Sequence, residues 1–281
     1  MAATRQITRE QITAFTRHLQ SEERAPGTVE KYLRDVRTFA AWLDGRPVTK
    51  ELTLLWREQL LSSHMPRTVN SMLASVNALF HFHGWTDCRI KALKLQRQLF
   101  RERSKELTRV EYDRLLHTAH ALGRDRLFLL METICATGIR VSEAKYITVE
   151  ALQMGRATIS LKGKIRSILL PNKLCRKLLK YAKKQKIVSG KVFLTRNGTE
   201  LSRKQIWAEM KALCHKAGVA PSKVFPHNLR HLFAQTFYKA CKDVAKLADV
   251  LGHSSIDTTR IYLLTTGTEH ARQLDRLGLV I

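Results

Sequence analysis

The sequence predicts a two-domain, mainly α-helical protein with one small β-hairpin in its second half. Three observations carry that expectation. Apolar residues recur at three- and four-residue steps through the first hundred positions, the period weakens in a basic stretch from Lys91 to Lys105, and two short β-leaning runs flank a Lys-Gly-Lys turn. At 281 residues and 44% hydrophobic content the chain can bury two ordinary cores.

Ile12, Phe15 and Leu19 set the first stripe, and Val29, Leu33, Val36, Ala40 and Leu43 set the next behind the start signal Pro26-Gly27-Thr28. Val69, Met72, Leu73, Val76, Leu79 and Phe80 make another, entered through Pro66-Arg67-Thr68 and closed near Gly84. Asparagine and serine on its polar side suit contacts to a phosphate or a base edge. Lys91, Lys94, Arg97, Arg101, Arg103 and Lys105 then crowd together, which places the interdomain linker around Arg101 to Ser104, with domains at residues 1–101 and 105–281. Thr108 with Glu111 reads as a capping box, followed by Leu115, Leu116 and Ala119 at helical spacing. Ala157 to Leu161 and Ser167 to Leu170 lean to β around the loop Lys162-Gly163-Lys164-Ile165-Arg166, a hairpin with a basic tip. Leu174, Leu178, Tyr181 and Ala182 form the buried face of a helix whose other sides are rich in lysine, and Val192-Phe193-Leu194 reads as one more short strand. Ala271, Leu274 and Leu277 begin a helical tail that ends in apolar residues 277–281.

Forty-nine Lys and Arg against 24 Asp and Glu give a formal net charge of +25, far beyond what solubility requires, and point to a polyanionic partner. The five cysteines are odd in number and widely spaced, without zinc-finger spacing, and read as reduced core thiols. The start MAATRQITRE has no apolar leader segment, and nowhere do eighteen apolar residues run together. A cytoplasmic protein with no membrane partner is expected.

A phosphodiester resists attack because its oxygens repel nucleophiles and its alkoxide leaves poorly. Cleavage needs cations on the oxygens, a nucleophile and a proton for the leaving group. Arg140, just past a helix end at Gly138, and Arg230, three residues after His227 on a helix opened by Pro226, suit the first task through the planar guanidinium fork. Leu251-Gly252-His253 and Tyr262 follow. An ordinary tyrosine, with a pKa of ~10, is a poor nucleophile at neutral pH and needs cationic neighbours. The chain has neither a GxxxxGK[ST] loop nor a paired-carboxylate cluster, so the expected chemistry uses no metal and no cofactor.

The segments TGIRVSE, LKGKIR, HNLRH and LGHSSIDTTRIY together resemble the catalytic motifs of the tyrosine recombinase (phage integrase) family, in the family's order. The resemblance covers Leu107 to the end of the chain, and the preceding helices are similar to that family's SAM-like core-binding domain. It implies a C-shaped clamp on double-stranded DNA, with a helical first domain and a mixed α+β catalytic domain. It also implies catalytic Arg140, Lys162, His227, Arg230, His253 and Tyr262. The two arginines would hold the scissile phosphate and Tyr262 would form a 3′-phosphotyrosyl link. Lys162, favoured over Lys164 by turn register, would protonate the 5′-oxygen. His227 would donate to a phosphate oxygen or assist proton transfer, His253 would position the phosphate, and Glu143 would support the geometry. The resemblance further implies site-specific recombination by a homotetramer on two DNA sites, with accessory directionality factors possible and a C-terminal tail that docks on a neighbouring protomer. Integration or excision of a mobile element is the expected task. Type IB topoisomerase-like relaxation and a non-catalytic DNA-binding role are the alternatives.

Overall fold

Capping residues and prolines start most of the helices. Thr8 and Thr108 each make a full capping box, Thr49 accepts from the Leu52 N–H, and Pro26, Pro66 and Pro226 sit in first turns where no backbone donor is missed. The computed structural model describes residues 5–96, 103–161, 164–263, 272 and 275–277. Two compact units divide the chain, Met1–Arg97 and Gln98–Ile281, with the division inside the basic stretch.

The first unit holds α1 (Arg9–Ser21), α2 (Pro26–Leu43), α3 (Lys50–Ser63) and α4 (Pro66–Phe82). All six apolar residues of the third sequence stripe are buried on α4, which packs on α2. Phe39, Trp56 and Phe80 join α2, α3 and α4 in one aromatic cluster. The polar side of α4 departs from expectation, because its asparagines face the protein. Asn70 Nδ2 donates to the Leu93 carbonyl (2.9 Å) and its Oδ1 accepts from the Leu93 N–H (2.7 Å), while Asn77 treats Ile90 in the same way at 2.8 and 3.1 Å. Ser75 donates to Asp35 Oδ2 at 2.9 Å. Each asparagine imitates a strand partner for a segment that has no strand beside it.

The second unit contains α5 (Arg109–Ala121), α6 (Asp125–Thr137), α7 (Val149–Gln153), β1 (Arg156–Leu161), β2 (Lys164–Leu169) and α8 (Asn172–Lys184). It continues with α9 (Arg203–Lys211), α10 (Cys214–Ala217), α11 (Pro226–Cys241), α12 (Val244–Leu251) and α13 (Ile256–Arg260), and Tyr262 lies in the 3₁₀ turn Ile261–Leu263. Strands β1 and β2 pair antiparallel from Arg156↔Leu169 to Leu161↔Lys164, so Lys164, Ile165 and Arg166 belong to the strand and not to the loop. Among the described residues this is the only sheet. Val192–Leu194 is not a strand; only the isolated bridges Thr148↔Lys191, just before it, and Leu194↔Glu200, at its last residue, form there. A large apolar core fills this unit, and a smaller cluster of Ala234, Leu247, Leu251 and Tyr262 lies between α11 and α12.

Among the cysteines, Cys88, Cys175 and Cys214 are buried as expected, Cys135 is half-buried, and Cys241 is exposed at the end of α11. Lys162 lies outside the described residues, as do most of the expected C-terminal helix and its last residues. No helix among the described residues is long and apolar enough to cross a membrane.

Candidate active site

The end of α6 prepares the first arm of the site. Gly138 has φ +66, and a Cβ there would lie 2.4 Å from Phe233, so glycine is required by both backbone and space. The chain then turns into a 3₁₀ segment, Val141–Tyr146, headed by Arg140. Glu143, 1% exposed, accepts from the Arg140 backbone N–H (2.7 Å) and from Arg140 Nη1 (3.0 Å). The Arg140 side chain remains 41% exposed, anchored at one corner and open at the other.

The second arm is α11. Asn228 ties its N-terminus down through Nδ2 to the carbonyls of Lys105 and Lys223, both at 2.8 Å. His227 is exposed on the first turn, and Arg230, one turn on, is 2% exposed. The Arg230 guanidinium donates through Nη1 to the Gly138 carbonyl, through Nη2 to the Leu251 carbonyl (2.9 Å), and through Nε to the Tyr262 hydroxyl (3.4 Å). Burial lowers its pKa from the ordinary value and Arg140 adds to that, while Tyr262 and Glu143 oppose it.

The third arm follows α12, where Gly252 at φ +64 turns the chain so that His253 faces Arg230. Nη2 of Arg230 lies 2.9 Å from His253 Nε2, and His253 Nδ1 lies 2.8 Å from Thr259 Oγ1. Arginine can only donate, so Nε2 is the acceptor and Nδ1 carries the proton, which makes the ring neutral. Burial, with Arg230, Arg140 and Arg166 adding to it, pushes the His253 pKa down to about 4. Tyr262, 5% exposed, stacks nearly parallel on this imidazole at 9° and 5.7 Å, with the His231 ring 4.4 Å and the His227 ring 5.9 Å from its own.

Arg140, His227, Arg230, His253 and Tyr262 therefore converge from four separated stretches of chain. Arg230 is more deeply enclosed than a bare phosphate ligand would be, and His253 spends Nε2 on it. Sequence reasoning missed Arg166 and Thr259. Arg166 Nη2 donates to Glu143 Oε2 at 2.5 Å and its Nη1 to the Val250 carbonyl at 3.1 Å, and Thr259 is fully buried behind His253. The signal for Arg166 was strand alternation, which puts it on one face with buried Ile168 and Leu170.

A buried arginine that donates to a tyrosine hydroxyl, beside a second and half-exposed arginine, is a set of groups able to hold a phosphate next to a nucleophile. The chain belongs to the phage integrase family of tyrosine recombinases, and its activity is site-specific DNA recombination. Residues 105–267 match the phage integrase family and residues 12–86 match the phage integrase N-terminal SAM-like domain. Tyrosine recombinase XerA of Thermococcus kodakarensis is 30% identical over 283 residues, covering 97% of this chain and 96% of the relative. The fold is similar to that of the Tn1549 transposon integrase in complex with transposon right end DNA, at TM-score 0.71 and 16% identity, covering 95% of this chain and 99% of that one. It is also similar to that of a lambda integrase tetramer bound to a Holliday junction, at TM-score 0.73 and 16% identity, covering 90% and 76%.

Proposed function

We propose that Tyr262 is the nucleophile of this recombinase and that Arg140, Lys162, His227, Arg230 and His253 complete its catalytic set. The observation that carries the reading is the Arg230 Nε–H donated to the Tyr262 oxygen at 3.4 Å, from a guanidinium fixed on its other sides by Gly138, Leu251 and His253. A donor preorganised on the phenol oxygen stabilises the phenolate as the Oη proton passes to solvent or to His227, whose ring lies 5.9 Å from the Tyr262 ring. Tyr262 Oη then attacks phosphorus, the P–O5′ bond breaks, and Lys162 supplies the proton that makes the leaving group a 5′-hydroxyl. The 3′-phosphotyrosyl bond keeps the energy of the broken ester, and a 5′-hydroxyl from a second strand reverses the step.

Arg140, exposed toward the cleft, neutralises the non-bridging oxygens. His227, on the first turn of α11, donates to one of them or assists proton transfer. His253 serves the phosphate through Arg230, whose orientation it fixes. Double-stranded DNA carrying a specific site is the substrate, and four copies of the chain on two sites form the working assembly.

The test is a duplex from the native genomic flanks, nicked near the crossover, incubated with wild type and with Tyr262→Phe. A covalent, protease-sensitive adduct is expected with wild type alone. An adduct with both proteins assigns the nucleophile elsewhere. Tight binding without any adduct favours a DNA-binding role, and adduct formation with relaxation but no partner exchange favours a topoisomerase.

A further inference from the structure

We propose that Arg166 is a positioning residue that locks the Arg140 and His253 arms of the phosphate seat into one geometry, an inference that rests on the recombinase reading above. Arg166 sits on the inward face of the hairpin, paired with buried Ile159 and in line with buried Ile168 and Leu170. Arginine on such a face is retained only where its charge is met. Here it is met at both ends of the fork.

Nη2 reaches Glu143 Oε2 at 2.5 Å, and the same carboxylate holds the Arg140 backbone at 2.7 Å and the Arg140 guanidinium at 3.0 Å. Nη1 reaches the Val250 carbonyl at 3.1 Å, three residues before His253. One guanidinium therefore spans the carboxylate that sets Arg140 and the helix end that sets His253. Gly252 is shaped to this contact. A Cβ on it would lie 2.4 Å from Arg166 Cδ and 2.6 Å from Nη1, on a backbone already at φ +64. The glycine both makes the turn and lets the guanidinium pass beneath it.

Arg166 is 17% exposed where Arg140 is 41% exposed, so it lies behind the residue that meets the solvent side of the cleft. It acts through Arg140 and His253 without touching the reacting atoms. Lysine cannot do the same work, because its three N–H donors radiate from one nitrogen on a flexible stem, whereas Glu143 and the Val250 carbonyl are met by two separate nitrogens of a rigid fork.

The experiment compares wild type, Arg166→Ala, Arg166→Lys, Arg140→Ala and Tyr262→Phe in single-turnover cleavage of the duplex on which wild type forms its adduct. Each is assayed on the ordinary phosphodiester and on a scissile methylphosphonate, in which a methyl group replaces one non-bridging oxygen and removes the negative charge. Arg166→Ala should slow phosphodiester cleavage about a hundredfold at unchanged DNA affinity, the scale expected for misplacing a reacting group by about an ångström. Most of that gap should close on the methylphosphonate, as it should for Arg140→Ala, because both defects act through charge on the phosphate.

Arg166→Lys keeps a cation opposite Glu143 and should fall between the two on the phosphodiester. It decides the matter if the alanine variant does not fold. Cleavage by Arg166→Lys at the wild-type rate, or an equal loss on both substrates, overturns the proposal. A wild type that forms no adduct at all overturns instead the recombinase reading on which the proposal stands.

Discussion

His253 is held as a neutral base by what surrounds it. Arg230 donates to Nε2, Nδ1–H donates to Thr259, and a pKa pushed down to about 4 keeps the proton off across the neutral range. The unfolded histidine takes up its proton near ~6.5, so between that pH and about 4 the unfolded state binds more protons than the folded one. The stabilisation from the neutral ring is therefore complete above ~6.5 and declines as pH falls through the window to about 4. In the free protein the His253 ring signal, assigned by its loss in His253→Gln, should titrate near 4 by heteronuclear NMR. A midpoint between 6 and 7 would contradict the neutral acceptor assigned here. Arg140, His227, Arg230 and His253 could be singled out as candidates in the sequence because each belongs to a short string that ends or starts a helix. Thr259 was not, since a buried threonine in Asp-Thr-Thr-Arg looks like any helix residue until the fold sets a histidine beside it.

At the scale of elements, α4 does two jobs. Its apolar face forms the core, and its asparagines strap residues 90–93 onto the helix by supplying both a donor and an acceptor to Ile90 and to Leu93. Asn77→Ala removes both partners of Ile90, which is buried, and leaves its N–H and C=O without them. Such orphaned groups cost about 1–3 kcal/mol. The urea midpoint should fall accordingly at an unchanged slope, whereas an unaltered midpoint would mean that the strap carries no stability. Helices with one clean stripe were legible, α2 and α4 above all. The sequence reading passed over α3, because Leu52, Leu54, Leu55, Trp56, Leu60 and Leu61 spread around the helix, with Leu55 and Leu61 exposed, and leave no single face to find. The hairpin was legible in kind but not in extent. A run of charge looks like a loop unless alternation is followed through it, and Arg166 shows why, being a cation on the apolar side of a strand. Val192–Leu194 has strand-like composition, yet it makes only bridges, since composition does not supply a neighbouring edge.

At the scale of the whole molecule, charge was the most legible property and the target sequence the least. Base readout needs side chains free to enter a groove, and the asparagines that would have been first candidates on α4 are spent inside the first unit. The excess of 49 basic over 24 acidic residues is a different matter, because it acts without any particular geometry. A duplex gives up condensed counterions for every phosphate neutralised, and the logarithm of affinity falls with the logarithm of salt by roughly 0.9 per phosphate. Neutralising about six phosphates then implies a loss on the order of a thousandfold between 50 and 200 mM salt. Fluorescence anisotropy of a labelled site duplex across that range should give a slope near −5 or steeper. A slope near −1 would mean that most of the +25 charge stays solvated while the protein is on DNA. Arg140→Ala supplies the internal comparison. In the proposed reading it removes one side chain from the scissile phosphate, so it should flatten the slope by about one unit while abolishing far more of the cleavage rate than of the binding. Affinity in this molecule is expected to be spread over many weak phosphate contacts, and catalysis to be concentrated in the few residues gathered around Tyr262.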